Sequence, residues 1–148
     1  MVDFYSYNVY LENTEEFRAY LGRLQNIVGE KPLVFGEFGL DTLRNGEEKQ
    51  AKLLGAHYQE VFQGGSAGSI LFSYTDEWFT GGHEITDWAF GIVRKDREPK
   101  LAFEALSQKT LGPGKRVCDV FPLEKCRASR WWFAVTTEPK PCGVVWRL

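Results

Sequence analysis

The chain has 148 residues, 43% hydrophobic and 15% aromatic, with 18 Lys and Arg against 20 Asp and Glu for a net charge of −2. That is enough apolar sequence to bury a core in one domain-sized unit, and it excludes a disordered chain. The two signs of charge are interspersed, so no basic stripe exists to draw nucleic acid or anionic lipid, and no nucleic-acid partner is expected.

No apolar run approaches the roughly 20 residues of a membrane span, and the opening MVDFYSYNVY lacks the basic and then apolar layout of a signal peptide. A cytoplasmic chain with no membrane span is the expectation. Cysteine is odd in number (Cys118, Cys126 and Cys142) and forms no C-x-x-C pair, which gives neither a disulfide framework nor a zinc site. No metal and no cofactor are expected.

In chain order, FYSYNVY (4–10) is short and dense in aromatic and β-branched residues, which predicts a buried strand. Asn13 with Glu16 three residues on marks a helix start, and Phe17, Tyr20, Leu21, Leu24, Ile27 and Val28 recur at helical spacing up to Gly29 and Pro32. LVFGEFG (33–39) predicts a second strand. A polar link follows, then a helix with Ala51, Leu54, Tyr58, Val61 and Phe62 on one face, stopping at Gly64 and Gly65. SILFSY (69–74) predicts a third strand, 75–98 a long loop, and the segment from Pro99 to Gly112 a helix with Leu101, Ala102, Ala105 and Leu106 inward.

Strands alternating with helices at a period near 30 residues imply an α/β fold with parallel strands and right-handed crossovers. A closed barrel needs eight strands and typically about 250 residues. The expectation is therefore a partial (β/α)8 TIM barrel comprising its last three βα units over 1–112, with Met1 inside the parent sequence, plus an irregular tail over 113–148. In such barrels the C-terminal ends of the strands face the active site. Glu37 ends its strand there, Asn8 and Tyr10 end the first, and Tyr74, Asp76, Glu77 and Trp78 end the third. Carboxylates and flat rings converging on one rim suit a sugar, whose hydroxyls need acceptors and whose C–H faces need apolar planes. His57 is placed on a helix away from the strand ends and read as structural, His83 has no second ligand, and Asp87 and Trp88 are read as loop braces.

KPLVFGEFGLDT resembles the nucleophile strand of glycoside hydrolase family 2, whose pattern is Glu-(Tyr/Phe)-Gly-x-Asp-(Ser/Thr); Glu37, Phe38, Gly39, Asp41 and Thr42 fill it. Asn8 and Tyr10 match that family's Asn-x-Tyr strand, and FGIVRKDREPKLAFEAL (90–106) resembles its closing Asp-Arg-x-Pro-Lys-x-Ala segment. The resemblance covers about residues 3–107, in order. It implies a retaining β-glycosidase in which Glu37 is the nucleophile and Tyr10 its hydrogen-bond donor, with Asn8, Tyr74, Asp76, Glu77 and Trp78 binding substrate. Two departures stand out. Phe72 or Tyr74 lies where the family has a sugar-facing tryptophan, and the family's Asn-Glu acid/base pair has no counterpart.

The chain is thus expected to be a catalytic-domain fragment that carries the nucleophile and not the acid/base, inactive alone, with carbohydrate as partner and self-association through exposed sheet edges. In the tail, Trp131-Trp132-Phe133 read from the third base of each codon gives Val-Val, and permitted codons from about residue 126 resemble the first strand of family 2 glycosyltransferases. That raises a frameshift and a parent gene fused to a glycosyltransferase. The alternative function is then a noncatalytic carbohydrate-binding or regulatory barrel module attached to that enzyme.

Overall fold

The computed structural model describes residues 2–111. The tail over 113–148, its cysteines and the expected change of reading frame lie outside the described residues. The chain divides into two compact units, residues 1–106 and 107–148; the first is described below.

Its elements are β1 (Tyr5–Asn8), α1 (Thr14–Val28), β2 (Leu33–Phe38), α2 (Thr42–Gln63), β3 (Gly68–Leu71), a hairpin of β4 (Phe79–Thr80) and β5 (His83–Glu84), and α3 (Leu101–Leu111). β1, β2 and β3 form a parallel sheet in that order. α1 lies on β2, α2 on β3, and the two helices pack on each other. The α/β class and the parallel sheet agree with the periodicity.

Asn13 caps α1, its Oδ1 accepting from the backbone N–H of Glu15 (2.8 Å) and Glu16 (3.1 Å), which satisfies two of the helix's orphan donors. Phe17, Leu21, Leu24 and Val28 form the buried stripe against Leu33, Phe35, Phe38, Leu54 and Val61. Burying four such side chains contributes on the order of 1.5–3 kcal/mol each. Tyr20 and Ile27, expected on that stripe, lie on its open flank, and Ile27 is 67% exposed. Phe62 is also outside, at 75%. The seam between the ends of the two helices runs instead through Gly64, whose missing side chain admits Leu21 and whose carbonyl accepts from Gln25.

The polar link expected before the second helix is itself helical. Asp41 caps α2, and the helix breaks at Gly46 (φ 77°), a conformation that favours glycine. The third strand stops at Leu71 because residues 73–74 turn to the loop: Ser73 N–H donates to Phe90 O, and Tyr74 O accepts from Ile92 and Val93 N–H. In α3, Ala102 is buried and Phe103 and Leu106 pack on the core, which leaves Leu101 facing out, contrary to expectation. Among the described residues no helix is long and apolar enough to cross a membrane.

One irregularity sets the site. Tyr5, Ser6 and Tyr7 pair with Leu33, Val34 and Phe35, but Asn8 pairs with Glu37, so Gly36 is an extra residue in β2. Strand side chains alternate between faces, and without the bulge Glu37 would share the core face with Leu33 and Phe35. The extra residue passes that face to Phe38, 1% exposed, and turns Glu37 off it. Gly36 fits because a Cβ there would meet Asn8 Oδ1 and Ser6 Oγ at 2.6 Å, and Gly39 because a Cβ would strike the Phe72 carbonyl.

Candidate functional site

At the C-terminal ends of β1 and β2, the Tyr10 hydroxyl donates to Glu37 Oε2 at 2.7 Å. Partial burial, and then the hydrogen bond and the charge of Glu37, hold the phenol well above its ordinary pKa, so it remains a donor at neutral pH. Asn8 sits opposite Glu37 in the register with an exposed side chain.

Tyr10's ring meets the edges of Phe72 (6.3 Å) and Phe90 (5.9 Å). Those two rings join Trp78 and Trp88 in an aromatic wall: Phe72 to Trp78 is 5.0 Å, Trp88 to Phe90 6.1 Å, and the two indoles lie 6.4 Å apart and 28° from parallel. With Ser73, Thr75 and Asp76 they line a shallow open hollow. The wall stands because loop 75–98 carries a hairpin at its tip and is fastened at its root. Thr75 bridges to Val93, and Asp76 N–H donates to Val93 O at 3.2 Å.

The fastening is polar and buried. Lys100 is 3% exposed, and its ammonium donates to Thr42 Oγ1 (2.8 Å), Asp76 Oδ1 (2.8 Å) and Ala89 O (3.3 Å), one acceptor for each proton. Gln50 Nε2 reaches the carbonyls of Leu40, Phe90 and Gly91. Asp41 Oδ1 accepts from Ala89 N–H at 2.8 Å, while its Oδ2 faces the Arg44 guanidinium at 3.0 Å. These side chains hold residues 89–91 against the start of α2, just beyond Glu37.

Of the residues named from sequence, Glu37, Tyr10 and Asn8 come together, and Trp78 and Asp76 line the hollow. Asp76 also accepts from Gly91 N–H (2.9 Å) and from Lys100, so it ties the loop's two ends together. Glu77 pairs with Arg97 (2.6 Å) at the outer root of the loop. Tyr74 is exposed and does not line the hollow. Trp88, read as a brace, belongs to the wall. Phe90 was not singled out, although it opens the 90–106 segment, and the position of Phe72 at the family's tryptophan depth was the available signal for it.

His57 is buried in the helical layer and stacked on Phe17 (4.0 Å, 12°). Burial depresses its pKa to about 4, against the opposing pull of Glu60 and the Asn13 backbone. His83 lies exposed in β5, and among the described residues no group of three His, Cys, Asp or Glu side chains is placed to hold a metal.

The α/β sheet thus presents a carboxylate, a tyrosine and a wall of rings at one end. No family model and no curated protein matches the chain. Among solved structures it is similar to the β-glucuronidase of Ruminococcus gnavus, at 25% identity and a TM-score of 0.58 over 77% of this chain. The same enzyme in complex with D-glucuronic acid gives 25% and 0.57 over 73%. A family 39 glycoside hydrolase from Bacteroides cellulosilyticus WH2 shares the fold, at 17% identity, a TM-score of 0.53 and 70% coverage. These likenesses support a relationship to glycoside hydrolases. The chain spans 22% of the length of the β-glucuronidase chains and 26% of the family 39 enzyme.

Proposed function

We propose that the chain is the C-terminal part of a retaining β-glycosidase (β/α)8 barrel of family 2 type, with Glu37 as nucleophile. The observation that carries this is the Tyr10–Glu37 hydrogen bond at the ends of two parallel strands, beside an aromatic wall. A Glu37 oxygen attacks the anomeric carbon while the glycosidic C–O bond breaks, giving a glycosyl ester that water then cleaves to return the free carboxylate. Tyr10 donates to the second oxygen of the same carboxylate and fixes its orientation.

Protonating an ordinary leaving oxygen takes a second carboxyl group about 5–5.5 Å from the nucleophile. On this proposal that acid belongs to the barrel strands preceding these three units, so the fragment alone does not turn over natural glycosides. A 2,4-dinitrophenolate leaves without a proton, which lets the chain be tested as it is. Incubation with 2,4-dinitrophenyl 2-deoxy-2-fluoro-glycosides is expected to leave a glycosyl adduct that peptide mass spectrometry maps to Glu37 and that Glu37→Gln abolishes. Sugar binding with no adduct from any reagent makes the site a noncatalytic carbohydrate module instead.

A further inference from the structure

The charge inventory around the hollow bears on which sugar it takes. Glu37, half-buried and hydrogen-bonded to Tyr10, stands at this end, and Asp76 lines the hollow itself. The cations of the surrounding loop and of the α2 start are each bound to a carboxylate: Lys100 to Asp76, Arg97 to Glu77, Arg94 to Glu47, Lys95 to Glu84 and Arg44 to Asp41. Lys100, which reaches Asp76 from within, has its three protons on Thr42, Asp76 and Ala89 and is sealed from solvent, while Arg97, which donates to Thr75 Oγ1 at 2.6 Å, is held by Glu77 and the Lys95 carbonyl. The rest of the lining is the rings of Phe72, Trp78, Trp88 and Phe90 with uncharged Ser73 and Thr75.

A uronic acid brings a carboxylate at C6. Here it would lose water against aromatic planes, face Glu37, a carboxylate of its own sign, with Asp76 already neutralised by Lys100, and gain an ion pair only by breaking one already made. A neutral hexopyranose offers C–H faces to the rings and hydroxyls to the carboxylate oxygens, and requires no countercharge. Resting on the glycosidase reading above, we infer that the site takes a neutral hexopyranoside and rejects the uronide, although the β-glucuronidase it resembles is known in complex with D-glucuronic acid.

The test compares labelling of Glu37 by the 2,4-dinitrophenyl 2-deoxy-2-fluoro derivatives of β-glucoside, β-galactoside and β-glucuronide. Beside it, tryptophan fluorescence follows titration with isofagomine and with uronic isofagomine. At least one neutral reagent is expected to label about tenfold or more faster than the uronide, the scale of one unfavourable charge contact in a partly wetted site. A uronide that labels as fast as the neutral reagents overturns the inference and leaves the glycosidase reading standing. If nothing labels Glu37 but isofagomine binds in preference to its uronic form, the inference holds and the catalytic reading fails. A chain that is neither labelled nor bound overturns both.

Discussion

Lys100 and Asp76 form an ion pair in the interior, Nζ to Oδ1 2.8 Å, with the lysine side chain 2% and the aspartate 14% exposed. Removing one partner of a buried pair strands the other charge. Lys100→Met is expected to cost about 3–5 kcal/mol in chemical denaturation, and Lys100→Met/Asp76→Asn clearly less, because the amide oxygen still accepts from Gly91 N–H. A single variant costing under about 1 kcal/mol would show that the pair is not desolvated.

Tyr10→Phe tests the other end of the site. The phenol is 43% exposed, so the fold should survive its loss. A hydrogen bond to a charged group is worth about 1.5–3 kcal/mol, which predicts labelling of Glu37 slower by about tenfold to a hundredfold. An unchanged rate would mean that Tyr10 only packs.

His57 supplies a pH dependence. Its folded pKa of about 4 lies below the ordinary 6.5, so the folded state stays neutral where the unfolded chain takes up a proton. Stability is therefore expected to fall as pH drops from about 6.5 to about 4, by up to roughly 3 kcal/mol, and this contribution to level off below that. The Arg18–Glu60 pair titrates lower, since Arg18 holds the Glu60 carboxyl below its ordinary value. Melting curves of His57→Leu between pH 7 and 4 should lose most of the slope; parallel curves for the two proteins would reject the assignment.

The sheet edge predicts association. Tyr5 N–H donates to Pro32 O just before β2 and Val9 N–H to Glu37 O, so by alternation the Ser6 N–H faces away from β2, and among the described residues β1 has no strand on its other side. Sedimentation velocity is expected to show concentration-dependent oligomers. Ser6→Pro, which removes an outward donor without touching the β1–β2 ladder, should weaken them at unchanged circular dichroism.

Much of the fold was legible because it is local. Asn13 capping α1 and the stripe Phe17, Leu21, Leu24 and Val28 follow from spacing alone. Ile27, Phe62 and Leu101 were misplaced because periodicity gives a helix's apolar arc and not where the neighbouring element ends along it; Gly64 decides that for Phe62. Buried Lys100, Gln50 and Asp41 were not legible, since a charged or polar residue reads as solvated until partners as far as 58 residues away are known. Glu37's position at a strand end was readable. The bulge at Gly36 that turns it from the core was not, because register belongs to two strands at once.

The closed root of loop 75–98 separates two properties that most binding clefts entangle. Glu37 takes its aim from the Gly36 bulge in the sheet and from Tyr10 just past the end of β1, whereas the outer rings stand on residues 77–88, beyond the clasp made by Thr75, Asp76, Gly91 and Val93. The cost of closing a loop grows only slowly with its length. The span 77–88 is thus a natural cassette: its sequence and size can be exchanged to reshape the hollow, while the geometry of Glu37 is inherited unchanged.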